Sequence, residues 1–120
     1  MNGSEPGRSR QVRAAINENT FREINEQLVA TVALDGGDDE LHDVVCECAR
    51  ADCTELVTLT VAEYDAVRAE GERFVVAPSD EHVTPGMERV VVESERYWVL
   101  EKVGLAGDVA AELDPRGDAA

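Results

Sequence analysis

Aromatic side chains are scarce in this sequence: one Trp, two Tyr and two Phe make up 4% of its 120 residues. Few bulky anchors are therefore available for a core, although apolar residues reach 43%. Chains of this size often add a metal staple when apolar burial leaves little margin. Long apolar runs are also missing. Residues 1–20 hold no stretch of signal-peptide length, and no later segment approaches the ~20 apolar residues that a bilayer span needs. The expectation is a cytoplasmic chain with no membrane contact, of a size that suits one domain. Basic residues are outnumbered, with 11 Lys+Arg against 26 Asp+Glu and a formal net charge of −15. That excess repels phosphate backbones, so no nucleic-acid partner is expected. A Gly-rich phosphate loop, a serine nucleophile elbow and a His-Glu-x-x-His helix are all missing, which removes the commonest marks of an enzyme.

The charge is uneven. Arg8, Arg10, Arg13 and Arg22 balance Glu5, Glu18, Glu23 and Glu26 in the first 30 residues, and the acidic excess begins at Asp35. Residues 1–8 are turn-rich and polar, and read as a disordered tail. From Ser9 to Leu34 the pattern is helical, with Ile16, Phe21, Ile24, Leu28 and Val32 on one apolar stripe and Asn17, Glu18, Arg22, Asn25 and Glu26 mostly elsewhere. Asp35-Gly36-Gly37-Asp38-Asp39-Glu40 ends that helix, and lacks the spacing of a calcium loop. Asp43–Cys48 and Glu55–Leu59 read as strands. Thr60-Val-Ala-Glu63 is a capping box that opens a second helix, which stops near Gly71. Arg73–Ala77 is a strand broken at Pro78, Glu88–Glu93 and Tyr97–Val103 form a hairpin, and Leu105–Leu113 is a last short helix. The spacing thus predicts an α+β domain over 9–115 with a loose tail at 116–120. It comprises an N-terminal amphipathic helix, a zinc-knuckle-like turn, a capped middle helix, a small mostly antiparallel sheet and a short C-terminal helix.

All three cysteines fall in one segment, Cys46-Glu-Cys48-Ala-Arg-Ala-Asp-Cys53. In a reducing compartment such a cluster points to metal binding or catalysis rather than to a disulfide. On a strand leading into a turn, Cys46 and Cys48 share a face, and Cys53 returns a third sulfur to the same point. That is the geometry of a zinc knuckle, with sulfurs ~2.3 Å from the ion. A closed structural site needs a fourth ligand. The first choice is His82, in the loop after the Arg73–Ala77 strand. The runner-up is His42, which on a strand would sit about 13 Å from Cys46, followed by Asp52 or water. An iron–sulfur cluster normally takes four cysteines. Glu47 reads as exposed between ligands, and Glu63 as occupied by its cap. Arg68, Arg73 and Arg89 read as surface ion-pair partners.

Several stretches together resemble a group of small bacterial, mainly actinobacterial, Cys-x-Cys-x4-Cys domain proteins. They are Phe21-Arg-Glu-Ile-Asn-Glu26, Cys46-Glu-Cys48 with Cys53, Leu59-Thr with Glu63-Tyr64 and Val67-Arg68, Phe74-Val-Val-Ala-Pro78, and Tyr97 with Glu101-Lys102-Val-Gly104. The resemblance covers roughly residues 20–115. Pro-Gly-His-Glu in those proteins stands where this chain has Pro78-Ser-Asp-Glu-His82, which puts a histidine in the same loop two residues further on. The resemblance implies the domain boundaries and no particular activity.

The sequence therefore points to a non-catalytic zinc-stabilised regulatory or protein-interaction domain. A protein partner or a homodimer would be served by the first helix. The other reading is a redox-sensing zinc–thiolate protein, or a thiol- or zinc-dependent enzyme, acting through Cys46, Cys48 and Cys53.

Overall fold

Helix α1 runs Pro6–Leu34 and is 29 residues long. It begins at Pro6 rather than Ser9, where proline costs nothing because a first-turn amide has no intrahelical acceptor. A computed structural model describes residues 6–34, 40–48, 50 and 53–116. Residues 1–5 and 117–120 of the tails expected at 1–8 and 116–120, residues 35–39 of the loop expected at 35–40 and the candidate ligand Asp52 lie outside those residues.

The buried face of α1 takes in only part of the apolar stripe: Val32 packs against the core and Phe21 is half-buried. Ile16, Ile24 and Leu28 are 48%, 43% and 42% exposed, whereas Glu18, Arg22, Asn25 and Val29 are buried. These four recur at helical spacing and turn inward. Polar groups tolerate such burial when they find partners, and here most of their atoms do, Glu18 Oε1 and Arg22 Nε excepted. The Arg22 guanidinium donates to the Gly71 carbonyl at 2.7 Å, to the Ala110 carbonyl at 2.8 Å and to Asn19 Oδ1 at 2.9 Å. It also lies 4.4 Å above the Phe74 ring. Asn25 Nδ2 donates to the Val45 carbonyl, and Asn25 Oδ1 accepts from the Val45 amide.

Strands β1 (His42–Val45) and β2 (Leu56–Leu59) form an antiparallel pair with Val44 opposite Val57. Helix α2 (Val61–Arg68) follows at once, opened by the expected capping box. Its two bonds run from the Glu63 amide to Thr60 Oγ1 at 3.1 Å and from the Thr60 amide to Glu63 Oε1 at 2.8 Å. Val61, Tyr64, Val67 and Arg68 form the buried side of α2. Strands β3 (Arg73–Val76), β4 (Glu88–Glu93) and β5 (Trp98–Lys102) make a second antiparallel sheet in the order β3-β5-β4, with a register shift between Val90 and Val92. Helix α3 (Gly104–Glu112) starts at Gly104, whose φ of 57° suits glycine.

The protein is thus α+β, as expected, but with two small sheets rather than one. The link between them is the stretch that holds the cysteines. The Glu47 amide donates to the Val75 carbonyl at 2.8 Å, and the Val75 amide returns a bond to Glu47 Oε1 at 3.0 Å. The core forms around this junction from Val44, Val57, Leu59, Tyr64, Val75, Val76 and Leu100, with Cys46 and Cys48 inside it. Among the described residues no helix is long and apolar enough to cross a membrane.

Candidate metal centre

Strand β1 ends at Val45, and the chain leaves it with one further pairing bond, from the Cys46 amide to the Glu55 carbonyl at 3.1 Å. That bond holds Cys46 in register beside β2 while freeing its side chain to turn toward β3. There Cys46 Sγ accepts from the Ala77 amide at 3.3 Å. Cys48 follows on the same side of the extended run, as the alternation of side chains requires. The Cys53 amide donates to the Arg50 carbonyl at 3.1 Å, which ties the third cysteine to the chain just past Cys48.

His82 reaches the same point from the other sheet. Beyond β3 the chain forms a short 3-10 turn, Asp80–His82, with Ser79 as its cap: Ser79 Oγ accepts from the Glu81 amide at 3.1 Å. His82 Nδ1 lies 2.7 Å from the Ala77 carbonyl, to which it donates. That bond orients the ring, and Nε2 on its far side lies 2.8 Å from Glu55 Oε2 and 3.8 Å from Cys53 Sγ. A backbone acceptor behind the ring is the usual way a ligating histidine is oriented.

The ligand atoms of Cys46, Cys48, Cys53 and His82 all lie within 4.8 Å of one another. A tetrahedral ion with metal–sulfur bonds of ~2.3 Å needs sulfurs about 3.7 Å apart, so small side-chain rotations suffice. All three cysteines are free thiols. Cys46, Cys48 and His82 are buried and Cys53 is half-buried.

Without an ion, the three sulfurs share their protons unequally. The Cys48 thiol is pulled down to about 5, first because Cys46 donates a hydrogen bond to it. Cys46 is pushed up by the same bond and by burial, and Cys53 is pushed up mainly by burial. A divalent cation resolves this crowding by replacing protons, and its binding releases them.

His42 opens β1 opposite Leu59, beside Val29, Val32 and Val44, and is not one of the four gathered residues. Two expectations about neighbouring side chains need correction. Glu47 is fully buried rather than exposed between ligands. It accepts from Tyr64 Oη at 2.7 Å, Asn25 Nδ2 at 2.9 Å and the Val75 amide at 3.0 Å, and burial raises its pKa. The signal was present in the alternation: if Cys46 and Cys48 face the metal, Glu47 must face the opposite side, toward α1 and α2. Arg68 is not a surface partner either. It is buried and pairs with Glu26 at 3.2 Å and with Asp114. Arg73 and Arg89 do meet Glu101 near the surface, at 3.2 and 2.7 Å.

Fold and site together define an α+β domain with a three-cysteine, one-histidine cluster close enough to hold a metal ion. Compared with models of protein families, with curated proteins and with solved structures, the chain finds no match.

Proposed function

We propose that the chain is a non-catalytic regulatory or protein-interaction domain whose fold is pinned by one structural zinc ion on Cys46, Cys48, Cys53 and His82. The observation that carries the reading is the convergence of those four ligand atoms within 4.8 Å. Three thiolates and an imidazole suit zinc, and four protein ligands leave no position for a water that could be activated. The ion would tie the end of β1 to the loop after β3, the place where the two sheets meet. Its binding energy is then folding energy. Free thiols in such a site suit a reducing compartment such as the cytoplasm.

The test is metal analysis of protein purified without added metal, followed by thermal unfolding with and without a strong chelator. One zinc per chain and a large loss of stability on chelation are expected. Protein without metal that melts unchanged in chelator overturns the reading.

A second reading, a redox-sensing zinc–thiolate, draws on one feature: Cys53 is less buried than the other two sulfurs. An oxidant would reach it first and loosen the ion. Thiol titration before and after mild peroxide separates the two. Zinc retained with its thiols intact supports the scaffold, and rapid zinc release supports the sensor.

A further inference from the structure

Glu55 sets a carboxylate against the metal centre that the four-ligand reading does not use. Its Oε2 lies 2.8 Å from His82 Nε2, the same nitrogen that lies 3.8 Å from Cys53 Sγ. The main chain at Glu55 is held by the ladder that holds a ligand. Its carbonyl accepts from the Cys46 amide at 3.1 Å, and the next residue, Leu56, opens β2. Cys46, Cys48 and His82 are buried, Cys53 is half-buried, and the Glu55 side chain is 58% exposed. Cys53 and Glu55 thus mark the side of the centre that faces water. The carboxylate stands at the rim of the cluster and is not part of it. The four ligand atoms that lie within 4.8 Å of one another do not include a Glu55 oxygen, and four suffice for a tetrahedral ion. The spacing agrees. Zinc bonds of about 2.05 Å to nitrogen and 2.1 Å to oxygen, with those two atoms 2.8 Å apart, subtend about 85° at the ion. That angle suits a five-coordinate ion and is too narrow for a tetrahedral one.

We infer that Glu55 is the exchange ligand of the centre: its carboxylate binds the ion beside His82 and Cys53 while the ion passes between water and the buried sulfurs. The inference rests on the structural-zinc reading and adds the route by which the site fills and empties. Release from four protein ligands is slow when nothing takes the place of each bond that breaks. An oxygen at the rim supplies a fifth bond before one of the four is lost, which zinc accommodates by expanding its coordination. The barrier then falls equally in both directions, and affinity, which depends on the end states alone, stays nearly the same. General charge does not do this. A formal charge of −15 draws cations to the whole surface, whereas sharing the ion with His82 takes a carboxylate beside Nε2.

The experiment is isotopic exchange of bound for free zinc in the zinc-loaded full-length protein, with affinity measured separately by competition against a chelator. Glu55→Gln and Glu55→Ala should slow exchange at least about tenfold and change affinity by less than about threefold. Both substitutions fall at an exposed side chain, so the fold is kept. Glu81→Gln removes an exposed charge next to His82 in the chain and should leave exchange unchanged. Exchange indifferent to Glu55→Gln and Glu55→Ala overturns the inference, and so does equal slowing by Glu81→Gln, which would make the effect one of general charge. Faster exchange with affinity lost about tenfold or more also overturns it, because Glu55 would then be a permanent ligand. Protein that holds no zinc overturns the structural-zinc reading and this inference with it, whereas unchanged exchange in zinc-loaded protein overturns this inference alone.

Discussion

Tyr64 Oη and Glu47 Oε2 lie 2.7 Å apart in the protein interior, so the residue between Cys46 and Cys48 is held from behind by helix α2. Glu47 receives two further bonds, from Asn25 of α1 and the amide of Val75 in β3. One carboxylate therefore joins three elements and fixes the direction of the two neighbouring thiols. Glu47→Gln turns one acceptor oxygen into a donor that faces either the Val75 amide or the Asn25 and Tyr64 donors. The expected loss is about 1–3 kcal/mol from the unsatisfied buried group, and Glu47→Ala should lose more. Zinc affinity should fall about 10- to 100-fold, as for other groups that orient ligands. Urea unfolding of the zinc-loaded variants and competition with a zinc chelator measure the two effects.

Ligand variants should rank by the geometry of the cluster. Cys48→Ser should remove most of the metal and destabilise the domain by several kcal/mol, on the scale of structural zinc sites. His82→Ala should weaken zinc binding strongly, because it deletes the only nitrogen among the gathered ligand atoms. His42→Ala should leave zinc binding intact. Metal content after gel filtration, with thermal unfolding of each variant, checks the order. Equal losses for the two histidine variants would refute this ligand set.

The gathering of the cysteines was legible in their spacing: Cys46 and Cys48 alternate onto one face, and Cys53 Sγ lies close to both. The capping box was legible for the same reason, since Thr60 and Glu63 act within four residues. Helix α1 shows where such reasoning fails. Its length was read nearly correctly, but apolar periodicity gave no sign that Glu18, Arg22 and Asn25 would be buried, because it weighs apolar residues alone. Arg22 is buried by bonds to Gly71 and Ala110, 49 and 88 residues away in sequence. Partners that distant leave no local mark. Arg68 is the same case, since its ion pair with Asp114 spans 46 residues.

The capping box on α2 gives a prediction for acid. The Glu63 carboxyl is held at about 2, first by its hydrogen bond from Arg96 and also by the Thr60 amide, against an ordinary value of 4.5. A carboxylate whose folded value is depressed contributes stability that is complete above the unfolded value. That stability is lost as pH falls from about 4.5 toward 2. Glu63→Gln should therefore flatten the acid side of the stability profile by lowering the neutral plateau, and only modestly, because the Arg96 pair is near the surface. Thr60→Ala should cost about 1 kcal/mol at every pH by removing the cap. Chemical denaturation across the acid range resolves both.

The buried cluster of Glu18, Lys102 and Glu88 should act in the opposite direction. Lys102 Nζ donates to both carboxylates, and all three side chains are shielded from water. Glu18 Oε1 and Glu88 Oε2 have no partner of their own. Burial raises the Glu18 carboxyl to about 7, although Lys102 pulls it down. A carboxyl raised on folding takes up a proton in the native state between its unfolded and folded values. Glu18 should therefore make stability decline as pH rises from about 4.5 to 7, the reverse of Glu63. Glu18→Gln keeps an oxygen for Lys102 and removes the charge, so the decline should shrink and stability at neutral pH should be held or improved. Lys102→Met should do far worse, because it leaves two carboxyl groups facing each other without a cation. Breaking a buried pair in this way costs about 3–5 kcal/mol, and the deficit should narrow at low pH as the carboxyl groups take up protons. A Lys102→Met protein as stable as wild type at neutral pH would show that the cluster contributes nothing to the fold.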